Sequence, residues 1–306
     1  MYAESCAAMG FALFAIRMFN ITGDTKYLDT VERCIYNGIL SGISLDGNQF
    51  FYTNYLEVDE NLPPAVDSKE RQPWFTCSCC PTSFSRFLPQ LGKFLYSVSE
   101  KENEITLNIP AANHAELNLN ENKINIDIDG NYPYDGKILI KIISEGQFSL
   151  NCRIPGWCRK WTAKLNGETI SDLHITRKWN IGDILEMNLD MPPVWIYANP
   201  RITTNTGRIA IMRGPVVYAL EEIDQTGPVR EMILKTEEPL ETGYGLAGLP
   251  EGTPFIKGKA VRETFAGNEL YPETPPEYTE TEFLAIPYAL WQNRGATNMA
   301  VWIRRK

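Results

Sequence analysis

Ile105-Thr106-Leu107-Asn108-Ile109 alternates apolar and polar side chains, and at this stretch the period of the sequence changes from helical to extended. Successive side chains of a strand point to opposite faces, so such a run buries one face and wets the other. The alternation returns in Ile124-Asn125-Ile126-Asp127-Ile128 and in Ile138-Leu139-Ile140-Lys141-Ile142. Trp179-Asn180-Ile181-Gly182-Asp183 carries a turn, and Ile184 to Leu189 reads as another strand. Short alternating runs separated by turns predict an antiparallel sandwich. From about residue 200, Arg208 to Met212 and Val216 to Leu220 predict a second β unit, and the Gly-, Pro- and Thr-rich stretch Glu237 to Thr274 reads as a long connection.

Ahead of Glu104 the spacing is helical. Ala7, Ala8, Phe11, Ala12, Phe14, Ala15 and Met18 form a broad apolar surface that breaks at Asn20 to Gly23. Asp24 is placed to cap a second helix through Tyr27, Leu28, Val31, Ile35 and Leu40. Gly47 and then Phe50, Phe51 and Tyr52 read as a turn and a short extended segment, and Asp59 to Gln72 as an irregular loop. Pro81 suits the first turn of a third helix through Phe84, Phe87, Leu88, Leu91 and Leu95, which Pro89 should kink or split. Helices first and sheets after is the pattern of separate all-α and all-β domains. The expected chain is therefore multidomain α and β, with a helical part at 1–100 and antiparallel β-sandwich domains at 101–200 and 201–306.

Composition is globular, with 43% hydrophobic and 22% charged residues in 306. A net charge of −9 disfavours nucleic acid as a partner, and Arg304-Arg305-Lys306 reads as a solvated end. No transmembrane run is expected, because each long apolar stretch is broken by charge or Gly, and no membrane partner with it. The N-terminus is not read as a signal peptide: Glu4 stands where positive charge belongs, and the apolar stretch Phe11 to Ile16 is short. Seven cysteines, odd in number and clustered, point to reduced thiols and a reducing compartment, so a cytoplasmic location is expected unless a signal precedes this stretch.

Three of those cysteines lie in Cys77-Ser78-Cys79-Cys80, followed by Pro81, and a fourth in Glu4-Ser5-Cys6. A carboxylate and several sulfurs suffice to close a tetrahedral zinc site. Glu4 and Cys6 would point about 200° apart in a helix but share one side of an extended segment, so both can face one ion if they precede the first helix. Cys79 and Cys80 can converge at a turn entering a helix, where backbone N–H groups and the dipole favour thiolate. Cys77 is a competing ligand that spacing leaves open. The bland alternative is a set of inert, buried core thiols.

Glu4-Ser5-Cys6-Ala7, Ile43-Ser44-Leu45-Asp46-Gly47, Phe51-Tyr52-Thr53-Asn54 and Cys77-Ser78-Cys79-Cys80-Pro81 resemble the zinc–thiolate β-L-arabinofuranosidases of glycoside hydrolase family 127. Arg153-Ile154-Pro155-Gly156-Trp157, Leu165-Asn166-Gly167, Trp179-x-x-Gly182-Asp183 and Arg213-Gly214-Pro215-Val216-Val217-Tyr218 are similar to that family's sandwich motifs. The likeness covers nearly the whole chain, more loosely after residue 230. It implies Zn2+ held by Glu4, Cys6, Cys79 and Cys80, with Cys79 as the nucleophile that forms a thioglycosyl intermediate. It implies a sugar contact by Tyr52 and an L-arabinofuranoside-like carbohydrate as partner. It also implies that the helical part is the C-terminal remnant of an (α/α)6 barrel.

One departure stands out: the family's general acid/base is a Glu shortly upstream of the first zinc ligand, and Met1 lies three residues before Glu4. The chain thus reads as the C-terminal part of a longer enzyme, with a second copy or the missing N-terminal half as further partners, and is expected to be inactive or impaired alone. His114 and His174 match none of the family's sugar contacts and read as ordinary sandwich residues. Asn125, Asp127 and Asp129 lack the rest of a calcium loop and read as a solvated strand face. Cys152 and Cys158 are expected reduced, and Trp157, Trp161 and Trp179 to fill a core. Two other functions stay open: a non-enzymatic zinc-stabilised carbohydrate-binding or scaffold module, and a thiol-redox protein using Cys77 with Cys80.

Overall fold

The computed structural model describes residues 3–64, 68–267 and 269–306. Part of the expected loop between Asp59 and Gln72, residues 65–67, therefore lies outside the described residues. The fold is mixed α/β, mostly sheet with few helices. Its contacts group into two compact units that are not consecutive in sequence. One comprises Met1–Ala7, Tyr36–Pro81 and Pro192–Lys306, the other Ala8–Ile35 and Thr82–Met191.

The helices follow the apolar spacing. α1 spans Ser5–Thr22, and α2 spans Lys26–Arg33 with the Asp24 carboxylate accepting the Lys26 N–H at 3.0 Å. The apolar run beyond α2 continues as one wide π-helical turn, Cys34–Ile39, rather than as regular helix. α3, Cys79–Phe87, carries Pro81 in its first turn. As expected, Pro89 ends regular helix: a 3-10 turn at Leu88–Gln90 separates α3 from α4, Gly92–Leu95.

α1 corrects the expectation that no stretch is long and apolar enough to cross a bilayer. It passes by length and composition, since Arg17 is its one charged residue and Ser, Gly, Thr and Asn interrupt it only weakly. Only 22% of it is buried.

In the unit that holds residues 82–191, the alternating stretches are strands with one buried face. Asn113–Leu119, Asn122–Gly130, Lys137–Ile142, Ile184–Leu189, Trp161–Leu165 and Glu168–Ile170 pair in that order as an antiparallel sheet. A second sheet orders His174–Trp179, Gly146–Cys152, Glu104–Leu107 and Tyr96–Ser99. It is not wholly antiparallel, because Glu104–Leu107 runs parallel to Gly146–Cys152. His114 and His174 are not lone histidines: His114 pairs with Asp127 across two strands, and His174 with Glu104 at 2.8 Å. All seven cysteines are free thiols, Cys152 and Cys158 included.

In the other unit the β region also departs from a simple antiparallel sandwich. Its ten strands form one sheet whose pairing returns on itself, because Val216–Glu221 joins both Glu277–Pro287 and Arg208–Arg213. Met232–Leu234 and Ile303–Arg305 pair in parallel. The expected connection 237–274 contains two strands, Glu241–Tyr244 and the eleven-residue Pro254–Thr264. Gly258 in that strand lies opposite Phe283, whose ring occupies the space a Cβ would need.

Within the unit of residues 82–191, the motif Arg153 to Trp157 grips α2 through a buried ionic cluster. Arg153 meets Asp29 and Glu32, Tyr132 donates to Glu32, Trp157 Nε1 donates to Glu32 at 3.2 Å, and Gly156 N donates to Asp29 at 2.9 Å. Trp157 is thus a hydrogen-bond donor rather than plain core filling, whereas Trp179 is fully buried as expected. Burial pushes the Glu32 carboxyl up, and the Arg153 charge pulls against it. Arg153→Met strands that carboxylate, so unfolding free energy should fall by about 3–5 kcal/mol, while the double variant Glu32→Leu/Arg153→Met should recover most of the loss. Urea unfolding followed by tryptophan fluorescence checks this; an equal loss in the double variant would assign the cluster to packing instead.

Candidate metal centre

Two helix N-termini and one extended segment build the site, all within the unit of Met1–Ala7, Tyr36–Pro81 and Pro192–Lys306. The segment 50–54 is seated first. Phe51 stacks flat on Trp291, centroids 4.7 Å apart, and the buried Arg71 guanidinium covers its ring at 4.3 Å. Arg71 also donates to the carbonyls of Trp291 at 2.9 Å and Ser41 at 2.8 Å. Phe51 and Trp291 belong to a core with Ala210, Ala219, Tyr288 and Met299.

The chain start pairs with this seated segment. Glu4 bridges Thr53 antiparallel, Asn54 N donates to Ala3 O at 2.8 Å, and Ser5 N donates to Tyr52 O at 3.2 Å. Ser5 then opens α1, so Glu4 and Cys6 straddle the change from extended to helical backbone and face one side. Asn54 holds this junction from beneath. Its Oδ1 lies 3.2 Å from both Ser5 Oγ and Ser41 Oγ, and its Nδ2 donates to Gly38 O at 2.6 Å. The Ser5 hydroxyl also lies 3.1 Å from Phe51 O, so its one hydrogen is shared between two acceptors.

Cys79 and Cys80 open α3, and Cys80 Sγ donates to the Tyr52 carbonyl at 3.5 Å. Cys6 Sγ lies 3.7 Å from Cys79 Sγ, Cys79 Sγ lies 3.8 Å from Cys80 Sγ, and Glu4 Oε2 lies 3.0 Å from Cys6 Sγ and 3.8 Å from Cys79 Sγ. One ligand atom from each of Glu4, Cys6, Cys79 and Cys80 falls within 4.8 Å of every other. A tetrahedral zinc with sulfurs at 2.3 Å has sulfur–sulfur edges of about 3.8 Å, so the sulfur spacings already match such a centre. The donor set, three sulfurs and one carboxylate oxygen, fits zinc. Cys77 stands outside this cluster and is exposed.

The electrostatics are those of a site that wants a cation. Burial, then the Glu4 carboxylate, push the Cys6 thiol up, and burial pushes the Cys80 thiol up to about 11. The helix N-terminus was expected to favour thiolate at Cys80; desolvation outweighs it. The exposed Cys77 goes the other way, lowered by the Cys79 backbone N–H and then by the Tyr52 hydroxyl. The Tyr52 hydroxyl is itself raised, first by its hydrogen bond with Cys79 and then by that with Cys77, which places it at the sulfurs. Sequence reasoning missed Asn54 as a support, together with Arg71 and Trp291. Asn54 stood in a quoted motif, but nothing in its spacing told of hydrogen bonds to two serines.

Three family profiles match the chain: the β-L-arabinofuranosidase GH127 catalytic domain over residues 1–93, the GH127 middle domain over 104–191, and the glycoside hydrolase family 127 C-terminal domain over 193–304. The chain belongs to glycoside hydrolase family 127. Among curated relatives, a non-reducing end β-L-arabinofuranosidase of Bifidobacterium longum is 30% identical across 100% of this chain and 49% of its own length. The GH127 β-L-arabinofuranosidase structure from Geobacillus stearothermophilus T6 superposes with a TM-score of 0.90 at 34% identity, over 100% of this chain and 50% of that one. A second GH127 β-arabinofuranosidase structure gives a TM-score of 0.91 at 33% identity, over 100% of this chain and 50% of its own. The chain spans about half the length of the family relatives it matches. All four clustered ligands fall in the stretch matched by the GH127 catalytic domain.

Two outcomes follow from the supports and the raised thiols. Asn54→Ala should lower metal affinity about 10–100-fold without touching a ligand, as loss of an outer support does; chelator competition reads it. Because Cys6 and Cys80 hold their protons above the usual thiol range, a metal must displace them. Apparent affinity should therefore fall as pH drops, by about tenfold per unit for each proton released, in the same competition between pH 6 and 8.

Proposed function

We propose that this chain carries the metal and the nucleophile of a retaining β-L-arabinofuranosidase-like active site. In this reading Glu4, Cys6 and Cys80 hold zinc, Cys79 is both ligand and nucleophile, and Tyr52 contacts the sugar. The observation that carries it is the gathering of one carboxylate and three sulfurs within 4.8 Å of one another, with sulfur–sulfur distances of 3.7 and 3.8 Å, inside the GH127 catalytic segment. A zinc ion held there keeps its sulfur ligands deprotonated at neutral pH. Helices α1 to α4 are then the C-terminal part of a helical barrel, and the β units are the sandwich domains that follow it.

The chemistry follows from the residues. The Cys79 thiolate attacks the anomeric carbon; a C–S bond forms as the bond to the leaving oxygen breaks. The leaving oxygen needs a proton, and Glu4 is occupied as a ligand, so the acid comes from elsewhere in the catalytic domain. In the second half water gives its proton to that same group, attacks the anomeric carbon, and Cys79 departs as thiolate. Two displacements at one carbon retain its configuration, with sulfur in the place of the usual carboxylate. The Tyr52 hydroxyl, beside Cys79, is placed to orient a sugar hydroxyl against that sulfur. A non-enzymatic module is disfavoured, because a purely structural zinc needs no ligand beside a half-buried tyrosine hydroxyl and an exposed thiol such as Tyr52 and Cys77 present.

Two measurements test this. The purified chain should bind about one zinc yet hydrolyse an aryl β-L-arabinofuranoside at least about 10²-fold more slowly than a full-length relative, the factor a general acid commonly supplies. In a chain completed with the N-terminal half of such a relative, Cys79→Ser should abolish hydrolysis. Activity surviving that change would remove Cys79 as nucleophile.

A further inference from the structure

Thr53 buries a hydroxyl that bonds to nothing. The residue is 2% exposed, and its Oγ1 has no hydrogen-bond partner. A buried hydroxyl without a partner loses its water and gains nothing in return. Valine has nearly the same shape and the same preference for extended backbone, so the fold alone gives no reason for threonine here. An orphan of this kind points to a group that it serves when the site is in use.

Register names that group. Glu4 and Thr53 stand directly opposite each other across the short antiparallel bridge. The flanking bonds, Asn54 N to Ala3 O and Ser5 N to Tyr52 O, make them a non-hydrogen-bonded pair, whose side chains share one face with Cβ atoms about 4.5–5.5 Å apart. Other acceptors at this junction are already engaged. The Phe51 carbonyl faces the Ser5 hydroxyl, the Tyr52 carbonyl takes Ser5 N and Cys80 Sγ, and Asn54 Oδ1 faces the Ser5 and Ser41 hydroxyls. Glu4 turns Oε2 toward the sulfurs, 3.0 Å from Cys6 Sγ and 3.8 Å from Cys79 Sγ. A carboxylate that serves as a metal ligand is itself oriented by a hydrogen bond from outside the ligand set.

We infer that Thr53 is a positioning residue of the metal centre: its hydroxyl donates to the Glu4 carboxylate and fixes how that carboxylate meets a cation. The inference rests on the zinc reading under Proposed function and deepens it. Asn54 already makes its bonds to Ser5, Ser41 and Gly38, so it supports fold and site together. The Thr53 hydroxyl gives the fold nothing, and its bond belongs to the charged, ligating carboxylate. Fold and site therefore favour different residues at position 53, and the two preferences separate by experiment.

The test compares Thr53→Val and Thr53→Ser with the unaltered full chain, reading Zn2+ affinity by chelator competition and urea unfolding of the metal-stripped protein. Thr53→Val should bind Zn2+ about 10–100-fold more weakly, as loss of an outer donor does, while its metal-stripped unfolding midpoint stays the same or rises. Thr53→Ser keeps the donor and should retain the affinity of the unaltered chain. In the Co2+-loaded protein, the visible absorption bands of the metal should shift in Thr53→Val and hold in Thr53→Ser, because the carboxylate turns while the three sulfurs stay. Equal Zn2+ affinity in Thr53→Val and the unaltered chain would overturn the inference with the metal centre intact. So would a Thr53→Ser variant as weak as Thr53→Val, or a metal-stripped midpoint that falls in step with affinity, since the side chain would then serve the fold. An unaltered chain that binds no Zn2+ is a separate failure: it defeats the zinc reading itself and removes the centre assigned to this hydroxyl.

Discussion

The carbonyl oxygen of Tyr52 accepts from Ser5 N and from Cys80 Sγ, and through it two helix starts about seventy residues apart are held against one extended segment. A carbonyl has two lone pairs, and here one serves α1 and the other α3. The Cys80 bond belongs to the thiol form, whereas the Ser5 N bond holds in either charge state of the sulfurs. Sulfur–sulfur approaches of 3.7 and 3.8 Å are weak bonds, whereas the Ser5 N–H to Tyr52 O bond at 3.2 Å that delivers Cys6 is an ordinary backbone bond. Moving residues 50–54 by an ångström would carry Glu4 and Cys6 with them, through the Glu4–Thr53 bridge.

The same arrangement explains why the centre is incomplete without a cation. Burial, with neighbouring negative charge, holds the Cys6 and Cys80 thiols above their usual range in this half-buried pocket. A divalent ion inverts that balance, because its own charge exceeds every other local term. The backbone frame is preformed and the charge state is not, which makes proton release the main expense of loading.

Much of this was legible in the chain. Period-two runs such as Ile124 to Ile128 became strands with one buried face, because alternation is a local signal. The partners of those strands were not legible: the parallel pairing of Glu104–Leu107 with Gly146–Cys152 joins residues more than forty positions apart. Pro254–Thr264 was hidden for a different reason. Gly258 is small to admit the Phe283 ring opposite, and it breaks the apolar pattern of the strand. At the site, Glu4, Cys6, Cys79 and Cys80 could be read because metal ligands are chemically rare. Asn54, Arg71 and Trp291 could not, because they act on hydroxyls, carbonyls and one ring, which leave no spacing pattern.

Each unit also contains a buried carboxylate with an arginine, and the two are used alike. Glu32 with Arg153 holds the Trp157 indole, while Asp29, the other carboxylate on Arg153, accepts the Gly156 N–H. Glu221 meets Arg294 and accepts the Gln292 N–H at 2.5 Å, fixing a non-glycine residue at φ 57 beside Trp291. In both, burial pushes the carboxyl up while the arginine charge pulls it down, and a buried pair of this kind is commonly worth little more than an apolar substitute. What an apolar substitute could not do is hold a particular N–H at a particular place, the Trp157 indole for Glu32 and the Gln292 backbone for Glu221. Surface pairs such as Lys259–Glu282 constrain no backbone and contribute little. Glu221 fixes the turn that presents Trp291, Trp291 seats Phe51, and Phe51 precedes the carbonyl that aligns Ser5 and Cys80. A buried ion pair that is poor as a stabiliser thereby becomes the far end of a positioning chain whose near end is a sulfur.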